Sequence, residues 1–206
     1  LYTTGMASDF PAEYKIVEGL IDYIKNSKRK NKPQLVVRTY IKGTTNDMNK
    51  LAIKYENDRD VLFPEILWYE KWLMPKYDDS FKYSNLLRYS CMGINAASTV
   101  SLELMMFNKP IINIGFEPPG IKLDHWCRFS RHINYEHYRA IVDSGAVMVA
   151  VSMSDLIKKI ELNLKDSSIM SKNQFHFLNS MFDGNYKINS SKKVVGAINN
   201  IVDNQI

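Results

Sequence analysis

Three polar residues near the middle of the chain, Ser98, Thr99 and Glu103, stand where a loop of small residues runs into a predicted helix. Free amides and the positive end of the helix dipole make a helix start a natural phosphate site. Glu103 follows Thr99 by four residues and so shares its helix face, where a carboxylate can accept hydrogen bonds from a ribose diol. An ordinary capped helix with a solvated Glu explains the same local pattern. Both interpretations stay open on these residues alone.

Two further groups of charged residues have to be weighed against this one. The loop after the fifth predicted strand can clamp a diphosphate or simply form a basic surface, and its cationic residues are His125, Arg128, Arg131, His132 and, just beyond, His137. Asp78 and Asp79 form a bare acidic pair without the Asp-x-Asp pattern. We interpret that pair as the solvated start of a helix.

The elements that must position these residues alternate between short apolar runs and longer amphipathic ones. Predicted strands end at Thr3 and cover 34–41, 61–63, 91–95, 109–116 and 146–151. Predicted helices cover 12–25, 47–56, 81–89, 98–107, 135–144, 156–164, 171–181 and 190–202, and an irregular aromatic region covers 66–77. This alternation predicts an α/β fold, a single Rossmann-like domain over residues 1–206 with a parallel sheet of about six strands and helices on both faces. In such sheets ligands bind at the carboxyl ends of the strands.

Composition and motifs exclude several classes of protein. The formal charge of +5 permits an anionic partner, but no aromatic residues interleave with the densest basic run, 25–32, so we expect no nucleic-acid partner. No stretch is long and apolar enough for a transmembrane helix. Cys91 and Cys127 are interpreted as free thiols of a reducing compartment, and we expect no metal site. The chain lacks the GxSxG, GxGxxG and P-loop motifs.

With these elements in order, the chain resembles the C-terminal lobe of GT-B-fold glycosyltransferases. The stretch 98–103, followed by Asn108-Lys109-Pro110-Ile111-Ile112, is similar to the S-S/T-x-x-x-E-A-x-x-x-G-K-P-V-I pattern of capsule, teichoic-acid and related surface-polysaccharide transferases. Asn108 replaces the family's glycine, and it can also adopt a left-handed helix cap. The strand that ends in Arg38, the stretch 135–156 and Asp183-Gly184 before a last helix match in the same order, although Thr39-Tyr40 departs from the usual His-Pro.

The resemblance implies the donor-binding domain of a metal-independent glycosyltransferase of surface-polysaccharide biosynthesis. Ser98 and Thr99 would then hold phosphate, Glu103 the ribose, and Thr4 and Gly5 the diphosphate or sugar. Arg38 would add positive charge near the leaving group, and His137 is a further expected contact to the nucleotide sugar.

The same resemblance implies partners that the sequence does not contain. Because Leu1 already lies inside a predicted strand, we expect a longer protein whose N-terminal lobe carries the acceptor site, so that this part alone is inactive. We expect a cytoplasmic location, with peripheral association at the inner face of the membrane left open. A UDP-sugar 2-epimerase-like domain and a non-catalytic binding domain of the same fold remain as alternatives.

Overall fold

The computed structural model describes residues 1–40, 44–69, 71–72, 74–182 and 190–203, and it contains the predicted parallel sheet. Its six strands are β1 (Tyr2–Thr3), β2 (Leu35–Arg38), β3 (Val61–Leu62), β6 (Gly93–Asn95), β7 (Ile111–Ile114) and β8 (Met148–Ala150). They are hydrogen-bonded in the order β3-β2-β1-β6-β7-β8, and every pairing is parallel. The fold prediction is therefore confirmed. Ile41, predicted within the second strand, and the Asp183-Gly184 motif lie outside the described residues.

Helices cover both faces of this sheet. They are α1 (Glu13–Asn26), α2 (Asn46–Lys54), α3 (Tyr77–Tyr89), α4 (Val100–Met106), α5 (Phe129–Ile133), α6 (Glu136–Asp143), α7 (Met153–Lys165) and α8 (Ser171–Phe182). A further helix, α9 (Ser190–Asp203), contributes no residue that the structure describes to either hydrophobic cluster below. One hydrophobic cluster joins the sheet to α1, α2, α5 and α7, and a second joins it to α3, α4, α6 and α8. Ile112 belongs to the first cluster and Ile111 to the second, as expected for a strand covered on both sides.

Several local features differ from the predicted elements. Helix α5 lies within the predicted loop after the fifth strand, α3 starts at Tyr77 before the predicted residue 81, and α4 starts at Val100 after the predicted residue 98. The irregular aromatic region contains a short antiparallel hairpin, β4 (Trp68–Tyr69) with β5 (Met74–Pro75). Helix α7 starts at Met153, before the predicted residue 156, because the side chain of Ser152 caps it by accepting a hydrogen bond from the amide of Asp155 at 3.1 Å. No helix among the described residues combines the length and apolar character that crossing a bilayer requires.

The strand order places a switch point between β1 and β6, whose following loops lead to opposite faces of the sheet. At this point a buried polar row crosses four strands at or next to their carboxyl ends, because Arg38, Thr3, Asn95 and Asn113 are register neighbours. Arg38 contacts α3, and Asn95 and Asn113 contact Ser101 of α4. The polar row therefore faces the layer that contains α3 and α4.

Helix α4 ends in a Schellman motif centred on Asn108. The amides of Asn108 and Lys109 donate to the carbonyls of Met105 and Leu104 at 2.8 and 3.0 Å. Asn108 has a φ of 52°, so it adopts the left-handed cap conformation that its place in the pattern predicts. This turn fixes where β7 begins.

We predict that Asn108→Ala lowers the free energy of unfolding by about 1 kcal/mol, because a Cβ without a compensating polar group is strained in this conformation. Asn108→Gly should be neutral or stabilising, since glycine adopts positive φ without strain. Urea denaturation of both variants checks the prediction. Equal stability of the two variants would contradict it.

Candidate functional site

A cavity of about 420 Å³ opens at the carboxyl ends of β1 and β2, between these strands, the β4–β5 hairpin and the first turns of α3 and α4. Four predicted site residues line it together, namely Thr4, Arg38, Thr99 and Glu103. The other lining residues are Thr3, Thr39, Tyr40, Trp68, Pro75, Asp79, Ser80, Tyr83, Ser84 and Val100. Residues from distant parts of the sequence therefore meet where ligands bind in open α/β sheets.

A buried ion pair forms one wall of the cavity. The Nη2 of Arg38 lies 2.5 Å from Oδ2 of Asp79. Asp79 also accepts hydrogen bonds from the amide of Leu67 at 2.9 Å and from the indole Nε1 of Trp68 at 2.8 Å. One carboxylate thus holds the end of β2, the start of α3 and the hairpin together.

This arrangement corrects the interpretation of the acidic pair and limits that of Arg38. Asp79 is only 2% exposed, whereas Asp78 beside it is exposed, so the prediction of a solvated pair is wrong for Asp79. Sequence spacing could not reveal the partner, because Arg38 lies 41 residues earlier. The guanidinium of Arg38 lines the cavity, but its charge is already paired.

Glu103 is held from α3 by Tyr83, whose hydroxyl donates to Oε2 of the carboxylate at 2.5 Å. Burial first, and then the Glu103 carboxylate, raise the pKa of Tyr83, so the phenol stays protonated as a donor. Among the described residues nothing donates to the second oxygen of Glu103, Oε1. Glu103 therefore lines the cavity with a fixed side chain and one oxygen available as an acceptor.

The threonines at the end of β1 add further polar atoms. Thr4 donates its amide to the carbonyl of Arg38 at 3.0 Å and accepts the amide of Tyr40 on Oγ1 at 2.9 Å. Thr3 lines the cavity, and its Oγ1 is a buried atom without a hydrogen-bond partner among the described residues. A buried hydroxyl of this kind is a site where a ligand or a water can bind.

The start of α4 differs from the expected phosphate cradle. The helix begins at Val100, and it has seven residues. The amide of Ser98 donates to Oδ1 of Asn95 at 3.2 Å, and the amide of Val100 donates to Oγ of Ser98 at 3.3 Å. These two amides are already engaged by the protein, and Ser98 itself does not line the cavity.

A buried network under α4, which sequence reasoning missed, fixes this turn. Ser101 Oγ lies 2.7 Å from the hydroxyl of Tyr138, and that hydroxyl donates to Oδ1 of Asn113 at 2.9 Å. Asn113 donates in turn to Oδ1 of Asn95 at 2.9 Å. Burial raises the pKa of Tyr138 to about 12, against the lowering effect of its hydrogen bonds. The sequence signal that could have indicated this network is the pair Asn95 and Asn113, two polar residues at or next to the ends of otherwise apolar strands.

Two predicted contacts lie elsewhere. His137 is exposed on α6 and stacks on Tyr135 with ring centroids 5.3 Å apart. Gly5 donates its amide to the carboxyl of Glu13, at 3.0 Å to Oε2, and neither His137 nor Gly5 is among the residues that line the cavity. A Cβ on Gly5 would meet the ring of Phe10 at 2.2 Å, so glycine is required here by packing.

Glu13 is a buried carboxyl that anchors the loop after β1. It accepts hydrogen bonds from the hydroxyl of Tyr2 at 2.9 Å and from the amide of Gly5. Burial raises the pKa of Glu13 to about 8, although both hydrogen bonds act in the opposite direction. Thr4, which precedes Gly5, lines the cavity, so Glu13 acts on the site through the backbone. No group of three or more His, Cys, Asp or Glu within the described ranges is arranged to hold a metal ion.

Comparison with known proteins shows the fold. No protein-family model matches the sequence, and no curated protein matches it. The chain is similar to the crystal structure of Methanocaldococcus jannaschii UDP-GlcNAc 2-epimerase in complex with UDP-GlcNAc and UDP, with 13% identity and a TM-score of 0.50, over 89% of this chain and 44% of that one. A structure from Listeria monocytogenes, described as a UDP-N-acetylglucosamine 2-epimerase, gives 11% identity and a TM-score of 0.52, over 91% and 45% of the two chains.

This chain has the fold of a Rossmann-like GT-B half. It spans about 44–45% of the length of those two solved structures. At these identities the likeness concerns the fold. The two structures are described as UDP-GlcNAc 2-epimerases, whereas the sequence motifs resemble those of transferases.

We predict that Asp79→Asn lowers the free energy of unfolding by about 3 kcal/mol, because it leaves the buried guanidinium of Arg38 without its counter-charge. Asp78→Asn, a neighbouring change on the exposed side, should stay within about 0.5 kcal/mol of the parent protein. Urea denaturation of both variants measures the difference. Similar values for the two would show that the pair does not hold this wall.

We further predict that stability falls as the pH rises from about 5 to about 8. Because the folded pKa of Glu13 lies near 8 and its ordinary value is 4.5, the folded state holds an extra proton in this window. Glu13→Gln should flatten the slope, whereas Glu18→Gln, on the exposed face of the same helix, should leave it unchanged. Urea denaturation across this pH range provides the test, and an unaltered slope in Glu13→Gln would contradict the assignment.

Proposed function

We propose that this chain binds a nucleotide sugar, and that it forms the donor-binding half of a metal-independent glycosyltransferase of surface-polysaccharide biosynthesis. The observation that carries the proposal is the cavity that collects Thr4, Arg38, Thr99 and Glu103 at the carboxyl edge of the sheet. Its volume of about 420 Å³ lies within the range of small-molecule sites. The motif order of the sequence and the GT-B half-fold support the same reading independently.

Glu103 is the proposed ribose contact. A ribose diol is a pair of hydroxyl donors, and the free Oε1 of Glu103 is a charged acceptor at the cavity surface. Tyr83 keeps the carboxylate oriented, so little side-chain entropy is lost when the sugar binds. The indole of Trp68, fixed by Asp79, provides an aromatic wall suited to the base.

The phosphates would be held by hydroxyl groups rather than by free charges. Thr3 and Thr99, which each have a hydroxyl, line the cavity, and Thr3 Oγ1 still lacks a partner among the described residues. Arg38 contributes a paired guanidinium whose main part is to hold the wall. In this proposal hydrogen-bond donors stabilise the departing nucleoside diphosphate, which is electrostatic stabilisation of a leaving group.

A UDP-sugar 2-epimerase half is the second candidate, because the two solved structures compared above are described as such enzymes. Both functions need the same nucleotide site, and both need a second half opposite this edge. They differ in what happens to the sugar, which is transferred in one case and inverted at C2 in the other.

Calorimetric titration of the chain with UDP, CDP and GDP tests nucleotide binding. We predict that one of the three binds, and that Glu103→Gln weakens its binding by about 10- to 100-fold, since a hydrogen bond to a charged group contributes about 1.5–3 kcal/mol. Tyr83→Phe should weaken binding less, because the carboxylate remains. Glu136→Gln, an exposed carboxylate outside the cavity, is the matched control.

Absence of binding to all three nucleotides at millimolar concentration would overturn the site. If one binds, product analysis with a labelled nucleotide sugar, on a protein that contains both halves, separates the two functions. Transfer of the label to an acceptor supports the transferase, and recovery of an epimerised nucleotide sugar supports the epimerase.

A further inference from the structure

Helix α5, in the segment after β7, contains an arginine that lies against two aromatic rings. The Cζ of Arg131 is 4.1 Å from the ring centroid of Trp126 and 4.6 Å from that of Tyr135. The ring of His137 stacks on the ring of Tyr135. The two ring centroids are 5.3 Å apart, and the rings are nearly parallel. We call Trp126, Arg131, Tyr135 and His137 the Arg131 stack.

The guanidinium of Arg131 has no acidic partner among the described residues. It makes one weak hydrogen bond, from Nη1 to the carbonyl of Trp126 at 3.4 Å, and no ion pair. The nearby carboxylate of Glu117 is engaged elsewhere, since it accepts the amide of Phe129 at 2.8 Å and the hydroxyl of Ser130 at 2.6 Å. A full positive charge is therefore presented on a surface without internal neutralisation.

Of the neighbouring basic residues, Arg128 adds to this positive charge, whereas His132 does not. Arg128 directly precedes α5 and forms no ion pair with any residue that the structure describes. His132 packs beside Tyr135 with ring centroids 5.0 Å apart. Burial, and then the charge of Arg131, lower the pKa of His132, and the carboxylate of Asp9 only partly offsets them.

A guanidinium that lies over an aromatic ring can still donate hydrogen bonds, and apart from Nη1 the guanidinium nitrogens of Arg131 have no partner among the described residues. The planar group is weakly hydrated and packs well on aromatic faces, and its in-plane N–H groups match the geometry of a phosphate or a carboxylate. Trp126 is 68% exposed, so a large apolar ring is held in water beside this edge. Such a pair forms a preorganised cation with little rotamer freedom left to lose on binding.

The Arg131 stack belongs to the carboxyl edge but not to the cavity. The His132 ring lies 4.4 Å from the ring of Phe10, and Cys127 Sγ lies 3.4 Å from the carbonyl of Ser8, so α5 and the residues before it rest on the loop after β1. That loop also contains Thr4 and Gly5. No residue of the stack lines the cavity. A ligand that extends from the cavity along this edge would meet the stack, and so would a second molecule.

We infer that the Arg131 stack binds an oxyanion, a phosphate or a carboxylate, through the open edge of the Arg131 guanidinium. Two sources would present this chemistry. One is the diphosphate of the nucleotide sugar, in which case the stack extends the proposed donor site. The other is an acidic group on a second substrate. The inference that an oxyanion binds does not depend on the proposed function, whereas the choice between these sources does.

Titration with inorganic phosphate at constant ionic strength, followed by NMR, tests the inference. The chain has three tryptophans, so the indole N–H resonance of Trp126 reports on the stack while those of Trp68 and Trp72 serve as internal references. We expect a saturable shift of the Trp126 resonance and of the Arg131 Nε–H resonance. Arg88, which lies over the single ring of Tyr89 at 5.6 Å, is the matched internal control and should not saturate.

Variants of Arg131 separate binding from packing. Arg131→Gln should abolish the Trp126 response, and Arg131→Lys, which keeps the charge but loses the planar fork, should weaken phosphate binding about tenfold. Thermal denaturation identifies any variant that has unfolded, and Arg131→Lys provides the test if Arg131→Gln fails to fold. An Arg131 resonance that responds no more than that of Arg88, or an Arg131→Lys variant that binds phosphate as tightly as the parent, would overturn the inference.

The source of the oxyanion follows from a second titration. If the nucleotide that binds the cavity also shifts Arg131 and displaces phosphate, the donor's diphosphate occupies the stack. If phosphate or glucuronate still shifts Arg131 at saturating nucleotide, the stack takes the acidic group of another substrate. If Glu103→Gln loses nucleotide binding but keeps the phosphate response of Arg131, then phosphate binding at the stack is independent of nucleotide binding in the cavity.

Discussion

The cavity depends on one buried carboxylate, that of Asp79. It neutralises Arg38 at the end of β2 and accepts hydrogen bonds from the backbone and indole of the β4–β5 hairpin. An unpaired guanidinium at this depth would be costly, and a two-stranded ribbon such as the hairpin is only marginally stable alone. The same interaction therefore fixes the floor, one wall and the aromatic side of the site.

A second polar system holds the opposite side in a different way. Asn95, Ser101, Asn113 and Tyr138 satisfy one another without a formal charge, and they fasten the first turn of α4 to β6 and β7. A buried network of this kind is stabilising only when its members are paired, and it then specifies a single arrangement. Glu103 is carried on that turn, so its position relative to Tyr83 is set by groups on two different helices.

The parts of the fold and site that could be predicted are those that local sequence patterns determine. Runs such as Ile111-Ile112 and the helix periodicity are local, so the α/β fold and the strand order along the chain were accessible from sequence. The left-handed cap at Asn108 was also accessible, because its residue type and position determine it. Neither the pairing of Asp79 with Arg38 nor the β4–β5 hairpin was accessible from sequence. Both depend on contacts that no local sequence pattern encodes. His137 was placed by motif order, and that order specifies a helix but not which of its faces reaches the cavity.

The engaged amides at the start of α4 change how an anion would be held at this edge. A helix of seven residues with its first amides bonded to Asn95 and Ser98 offers little of the dipole and few of the free donors on which a phosphate site at a helix end relies. Arg38 cannot replace them with a free charge, because Asp79 neutralises it. Arg131 of α5 is a cation of this edge that no acidic residue in the described part of the chain neutralises, and it is braced by aromatic rings. Hydroxyl groups in the cavity and the Arg131 guanidinium beside it would then together bind the anion that, at other sites, the free amides of a longer helix bind alone.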